Sequence, residues 1–317
     1  MGRYVKIGET LESTYGTQPG GQTYTGVRTK SVSQTVDRGI MFEENIEHYI
    51  AATGYGGALK LGGTLEGSIR PLQMKNLFYA MMGNRAVAST PGDPLNGYKY
   101  TFDVPKSINI KTGESTAGGS VEWGYLGVGI KSCSLNFAAK EFVTGRFDWL
   151  ARTATAGSYS APSSYTSEEP LVFYTATVTL DGATNTKIKS LTMDIDRKLD
   201  DDRFVVGDFR LTELGYSGMT EVGGSLTFTE QEYGELKRAQ FGTTSGTSLD
   251  DRNLVGGPVL KVVCTDLSAI PVTKMVVQAG VSIYGNADYS MSGQDEAERK
   301  VDYKVIGSTF TIYTVST

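Results

Sequence analysis

The chain has 317 residues, of which 39% are hydrophobic and 21% are charged, and its formal net charge is −5. This balance is typical of a globular protein with room for two domains of roughly 150 residues, and it excludes an intrinsically disordered chain. No run of about 18 apolar residues is present, so we expect no membrane-spanning helix. Lysine and arginine are scattered, which disfavours tight DNA binding; a mildly acidic surface would repel phosphate and let DNA pass.

Composition divides the chain into four segments. Residues 1–26 contain several glycines and no core pattern, which predicts an extended N-terminal arm. Residues 153–170 are rich in Ser, Thr, Ala and Pro, which predicts a linker. We therefore expect a first domain over residues 27–152 and a second domain over residues 171–317.

Two sequence blocks of the first half return in the second half. Lys30–Arg38 returns 159 positions later as Lys189–Arg197, with four of nine residues identical. Gly54–Glu66 returns 161 positions later as Gly215–Thr227, with six of thirteen identical. A repeat of this length is too long for a solenoid unit and predicts a duplicated domain. Two fused copies can replace two chains in a symmetric assembly.

Alternation of apolar and polar residues predicts a mainly β fold. Such strands are predicted within 132–137, 171–180, 190–196, 275–283 and 307–315. Helical spacing occurs over 72–83 and 230–242, and each of these segments ends at a glycine suited to a C-cap. Each half is thus predicted to be a β-sandwich that carries one short α-helix. Connections of about 15 residues, 39–53 and 198–212, separate the matched strands.

Residues typical of catalysis or cofactor binding are sparse. His48 is the only histidine, and no neighbouring Cys or second His makes it a zinc ligand candidate. Five aspartates between Asp194 and Asp202 could bind calcium, but the spacing lacks the glycine and glutamate of a calcium loop, so a solvated loop is the competing interpretation. Cys133 and Cys264 are expected to be buried free thiols. We predict no enzyme, no cofactor and no metal site.

The repeated blocks resemble the major tail tube protein family of long-tailed bacteriophages. The resemblance is carried by Lys30–Ser33, Gly62–Leu65 and the helix to Gly83, and again by Lys189–Thr192, Gly223–Thr227 and the helix to Gly242. It implies a structural virion protein whose sheets join those of its neighbours into the β-barrel of a six-membered ring. Family members usually carry a single domain. Two copies in one chain therefore imply a homotrimeric, pseudo-hexameric ring.

The resemblance also implies where the protein acts and what it contacts. Stacked rings would form the tail tube through which DNA is ejected without specific binding. Other partners would be the tape measure, tip and terminator proteins of the tail, with no membrane involved. The chain would reside in the virion tail, and in the host cytoplasm before assembly.

The polar faces of the two repeated strands supply the candidate lumen-facing residues. These are Ser31, Ser33, Thr35, Ser190, Thr192 and Asp194. Alternation alone leaves open whether this face meets the lumen or the outer solvent. A β-sandwich adhesin of the tail tip or baseplate is the main alternative function, and a tube protein of a secretion apparatus and an unidentified hydrolase are others.

Overall fold

A computed structural model describes residues 4–17, 24–43, 53–88, 95–116, 119–157, 167–229, 233–247, 257–267, 272–290, 298–307 and 310–315. Within these ranges the chain forms a larger sheet of 12 strands, a smaller sheet of seven strands and two α-helices. The larger sheet contains β1 Tyr4–Leu11, β2 Thr25–Val27, β3 Ser31–Glu43, β4 Thr53–Ser68, β7 Ile108–Thr116, β8 Gly119–Ala138, β9 Thr144–Ala151, β10 Thr153–Gly157, β13 Ile188–Asp196, β14 Glu221–Phe228, β17 Ser282–Ser290 and β18 Glu298–Val305. The smaller sheet contains β5 Gly83–Ala88, β6 Gly97–Phe102, β11 Ala176–Leu180, β12 Ala183–Thr184, β15 Leu260–Thr265, β16 Thr273–Ala279 and β19 Thr311–Val315.

Eight strands of the larger sheet follow one another in a single antiparallel series. The first run of four has the order β3-β4-β9-β8, and the second run of four has the order β13-β14-β18-β17. Strand β8 pairs with β13 and so joins the two runs. The matched sequence blocks occupy the first two strands of each run.

Strand β8 belongs to two parts of the larger sheet because it is 20 residues long. Its second half pairs with β9 and β13, while its first half pairs with β7 and β10. Strand β1 pairs with β7 along its whole length, and β2 pairs with β1. Much of the segment expected to be an arm therefore lies within the sheet, with Glu9 fully buried.

The hydrophobic core lies between the two sheets. Leu191 and Met193 of the larger sheet and Val262 and Met275 of the smaller sheet belong to the same buried cluster. Their polar neighbours in sequence point away from the core, as alternation predicts. The prediction of a mainly β sandwich-type protein is confirmed.

Both predicted helices are present. Helix α1 spans Lys75–Met82 and packs against β8, and helix α2 spans Gly234–Phe241 and packs against β17. The glycine after each helix has a positive φ, 91° at Gly83 and 80° at Gly242. Such an angle favours glycine because it has no Cβ, and this explains why both helical segments end there. In the described part of the chain, neither helix is long and apolar enough to cross a bilayer.

Four predicted boundaries were wrong. Turns within regular alternation account for two of them, β3 is longer than predicted, and the strand predicted over 307–315 begins at Thr311. Residues 173–175 form a 3-10 turn, so the strand predicted from residue 171 begins at Ala176. The pattern over 275–283 is split between β16 and β17. Residues 39–43 extend β3, so the first long connection is shorter than predicted, and residues 44–52, which include His48, lie outside the described residues.

Candidate assembly surface

All six predicted lumen-facing residues lie on one side of the larger sheet. Ser33 is opposite Thr64 with their hydroxyls 2.7 Å apart, and Thr64 is opposite Asp148 of β9. Asp148 is in turn opposite Ser132, which pairs with Asp196. Since directly paired residues share a face of a sheet, this chain of pairs places the polar sides of β3 and β13 on the same face. The structure thus forms one largely polar face across eight strands, interrupted near the end of β9 where Leu150 packs with Leu199 and Leu211.

Polar side chains on this face bind one another across the strands. The Ser134 hydroxyl donates to Asp194 at 2.5 Å, and the hydroxyls of Thr192 and Ser225 are 3.0 Å apart. In the second run this face borders an open hollow of about 910 Å³, whose lining includes Thr192 and Asp194 as well as Ile283 and Tyr303. A polar face that borders such a hollow, opposite a buried apolar face, is the geometry expected for the inside of a water-filled barrel.

Acidic side chains outnumber basic ones on the polar face. The basic residues in its strands pair with acidic neighbours, as in Arg146–Asp148 at 3.0 Å and Lys300–Asp302 at 3.4 Å. The acidic residues of the face are Asp37, Glu66, Asp148, Asp194, Asp196, Glu221, Asp288 and Asp302, and the basic ones are Lys60, Arg146, Lys300 and Lys304. The surface is therefore weakly acidic, and it holds no dense set of cations to bind phosphate.

Aspartates of the cluster considered for calcium form ion pairs with lysines. Lys60 contacts Asp202 at 3.0 Å, and Lys131 contacts Asp201 at 3.1 Å. The hydrogen bond from Lys131 is the main reason that the pKa of Asp201 lies below its usual value. These contacts hold the 198–212 connection against the first run. Among the described residues, no group of three His, Cys, Asp or Glu side chains could hold a metal ion.

The two outer edges of the eight-strand series are β3 and β17. Strand β8 holds the position in the first run that β17 holds in the second, and β13 holds the position in the second run that β3 holds in the first. Strands β8 and β13 are hydrogen-bonded to each other. An unpaired edge presents a row of backbone donors and acceptors that can join another strand. Val36 and Ile40 on β3 are exposed hydrophobic side chains, at 58% and 63%. This edge therefore has the chemistry of a contact surface.

Arg197 closes the junction between the two runs. It directly follows β13 and is 1% exposed. Its guanidinium donates to the backbone carbonyls of Met82 at 3.4 Å and Asp103 at 2.6 Å, and to the Tyr216 hydroxyl. It also lies 4.9 Å from the centre of the Phe102 ring. Arg197 thus fastens the second run to the C-terminus of α1, where the Met82 carbonyl also accepts from the Asp103 backbone N–H and the helix dipole favours a cation.

The repeated Gly-Gly pair has a packing reason in both runs. A Cβ on Gly63 would lie 2.2 Å from the Ser33 carbonyl oxygen and 2.6 Å from the Trp149 ring. A Cβ on Gly224, the matched glycine, would lie 2.0 Å from the carbonyl oxygen of Thr192. The aromatic residue opposite each glycine is Trp149 in one run and Tyr303 in the other. Sequence comparison missed this aromatic pair because β9 and β18 share too few residues to align.

Comparison with known proteins gives one family. The family model described as phage tail tube protein matches residues 2–259. No curated protein matches the sequence.

Proposed function

The chain belongs to the phage tail tube protein family and is a structural protein of the virion tail, and we propose that three copies close into one ring of the tube. Each copy would contribute two equivalent units, residues 27–152 and 171–317. The segment between them, 153–170, was expected to be a linker, but it begins with strand β10, which pairs with β8. The observation that carries the proposal is the β8–β13 junction, in which one four-stranded run already continues into the next. The same join, repeated between the free edges β17 and β3, would close the series on itself.

Strand number gives the size of the resulting barrel. Three chains with eight strands each give 24 strands. A strand separation of about 4.8 Å and a tilt of about 40° then give a diameter of about 48 Å between opposite Cα atoms. Side chains on the inner face reduce the free width by about 10 Å, which leaves room for a DNA duplex. A ring of six full chains would have twice the strands and about twice the diameter.

The polar face is proposed to line the lumen, with Ser31, Ser33, Thr35, Ser190, Thr192 and Asp194 among its residues. The hollow that it borders supports this orientation, as does the burial of the opposite face against the smaller sheet. Its weakly acidic character suits passage of DNA, because an acidic wall repels phosphate and a basic wall would retain it. The role is mechanical, and no catalytic step is assigned to the chain.

Assembly partners follow from this role. Rings would stack head to tail, since contacts along the axis do not close and therefore grow a filament. The tape measure, tip and terminator proteins of the tail would contact the tube inside and at its ends. The chain would remain unassembled in the host cytoplasm before it joins the tail. Segment 1–26, which supplies β1 and part of β2 to the larger sheet, is proposed to contribute to stacking from that position.

Negative-stain microscopy combined with mass photometry tests the proposal. We expect hollow tubes or rings, and a ring mass of three times 34.1 kDa. A ring of six full chains would refute the trimer but not the tube. Dispersed single particles at all concentrations would refute self-assembly and favour the adhesin alternative.

A further inference from the structure

We infer that the junction between neighbouring chains repeats the junction within the chain, with Thr35 of one chain opposite Asp288 of the next and Arg38 in the position of Arg197. This inference rests on the proposed ring and adds to it a defined register and a residue that fastens the contact. The partner is a second copy of the same chain.

The register follows from residue pairs that the two runs share. In the first run Thr64 is opposite Asp148, and in the second run Ser225 is opposite Asp302. Arg146 lies two residues before Asp148 on β9, and Lys300 lies two residues before Asp302 on β18. On the next strand of each run, Ser134 of β8 is opposite Arg146, and Asp288 of β17 is opposite Lys300. Ser134 and Asp288 are therefore equivalent positions of β8 and β17.

A shared irregularity confirms this alignment of the two strands. The pairing of β8 with β9 shifts between Ile130 and Ser132, and the pairing of β17 with β18 shifts between Tyr284 and Ala287. Both shifts lie directly before the residues aligned above. Since a bulge fixes register locally, β8 and β17 present the same spacing to a partner strand.

The internal junction then specifies the external one. Asp194 is opposite Ser134 across β13 and β8. The residue equivalent to Asp194 is Thr35, 159 positions earlier. Applying the internal pairing to the free edges places Thr35 opposite Asp288 on the polar face. On the core side it places Val36 opposite Ala287, because Ile195 is opposite Cys133.

Burial at equivalent positions shows what β3 lacks. Ile195 is 1% exposed and Val36 is 58% exposed, although both point to the core side of their strand. Arg197 is buried and Arg38 is exposed. The difference is the neighbouring run, which covers β13 and is absent from β3 in the single chain.

The C-terminus of α2 offers the carbonyl that Arg38 needs. Met82, whose carbonyl accepts from Arg197, is the last residue of α1, and Phe241 is the last residue of α2. Within the described residues, a Cβ on Gly242 would meet no atom within 4 Å, whereas the matched Gly83 is covered by the carbonyls of Asp103 and Val104. The backbone at Gly242 is thus less covered than that at Gly83, although Gly246 packs against Phe241. This end of α2 lies beside β17 because α2 packs on that strand.

Cysteine cross-linking tests the register. The double variant Thr35→Cys with Asp288→Cys is assembled under reducing conditions, oxidised, and separated on a non-reducing gel. We expect a reducible species of three times 34.1 kDa. In a closed ring of three chains, Cys at position 35 of each chain would form a disulfide with Cys at position 288 of its neighbour. The native Cys133 and Cys264 are buried, so the wild-type chain should give no such species.

A matched control moves one cysteine by two residues on the same face. Asp37→Cys with Asp288→Cys should cross-link at least about 10-fold less, since diagonal Cβ atoms are about 7–8 Å apart. If the control links as well as the first pair, or better, the register is wrong. If wild-type rings form and neither pair links, the edge contact is wrong while the tube role stands. If the wild-type chain forms no ring, the proposed function fails and the inference fails with it.

Arg38→Ala provides a second, independent measurement. We expect the lowest protein concentration that yields tubes to rise about 10-fold or more, because a charge-assisted contact is lost at each junction, while the urea midpoint of the single chain stays unchanged. Arg38→Lys should restore part of the loss, and Lys261→Ala on the smaller sheet should behave as wild type. Assembly of Arg38→Ala at the wild-type concentration would overturn the role of Arg38.

Discussion

Replacement of Arg197 by alanine should weaken the chain itself, whereas replacement of Arg38 should not. Arg197→Ala removes bonds to two main-chain carbonyls, Met82 and Asp103, and to Tyr216. Hydrogen bonds from a charged donor contribute about 1.5–3 kcal/mol each, but desolvation of the buried guanidinium offsets part of that sum. We expect a net loss of about 3 kcal/mol in the free energy of unfolding.

The assay is urea unfolding of the unassembled chain, followed by far-UV circular dichroism at a concentration below that of tube formation. In a thermal melt of the same samples, a loss of 3 kcal/mol corresponds to a fall in Tm of about 5 °C for a chain of this size, if unfolding is one cooperative step. Tyr216→Phe is the graded companion, since it removes one member of the network and should cost about 1 kcal/mol. Wild-type stability of Arg197→Ala, or an equal loss in Arg38→Ala, would refute the assignment of Arg197 to the internal junction.

Three further predictions concern other parts of the fold. Burial raises the pKa of Glu9 to about 8, so the folded chain keeps this carboxyl protonated. The associated stability is present below about pH 4.5 and is lost as the pH rises to 8. In urea titrations, the free energy of unfolding of Glu9→Gln should exceed that of the wild type by about 4 kcal/mol at pH 8 and should not exceed it at pH 4, and a pH-independent difference would contradict this. Gly63→Ala should lower the free energy of unfolding by about 2 kcal/mol or more, because its Cβ would lie 2.2 Å from the Ser33 carbonyl oxygen, whereas Gly157→Ala, with no atom within 4 Å of its Cβ among the described residues, should leave the urea midpoint near the wild-type value. Asp194→Lys should make assembled tubes retain short DNA in a salt-dependent manner in a co-sedimentation assay, and wild-type tubes that retain DNA equally well would contradict an acidic lumen.

Much of the β architecture could be predicted from the sequence because alternation reports burial on one face of a strand. The six residues Ser31 to Thr35 and Ser190 to Asp194 were placed on polar faces for that reason, and the structure joins those faces into one surface. Alternation could not show that β8 would pair with β13, since pairing between distant strands leaves no local pattern. Alternation also gave no sign of the turn at Gly280, which separates two strands that share the same apolar period.

The residues that fasten the fold were harder to find. Arg38 and Arg197 are identical residues at the end of the repeated block, but sequence alone gives no reason for an arginine there. The partners of Arg197 are main-chain carbonyls remote in sequence, Met82 at the end of α1 and Asp103 after β6. Trp149 and Tyr303 occupy equivalent positions and differ in sequence. Their signal is indirect, because each lies opposite the second glycine of a Gly-Gly pair. At Gly63 the Trp149 ring and a backbone carbonyl leave no room for a side chain, and at Gly224 the Thr192 carbonyl does.

Differences between equivalent strands suggest how one chain can remain soluble before it assembles. The buried Met193 and Ile195 of β13 correspond to Gln34 and Val36 of β3, so the internal junction is more apolar than the edge left open. A fused junction forms once, during folding, and gains from apolar burial. An open edge meets water until a neighbour arrives, and a polar residue such as Gln34 reduces the risk of premature pairing. In the proposed three-chain ring there would be three external junctions in place of six, and each of the two kinds of junction would be adapted to its own solvent exposure.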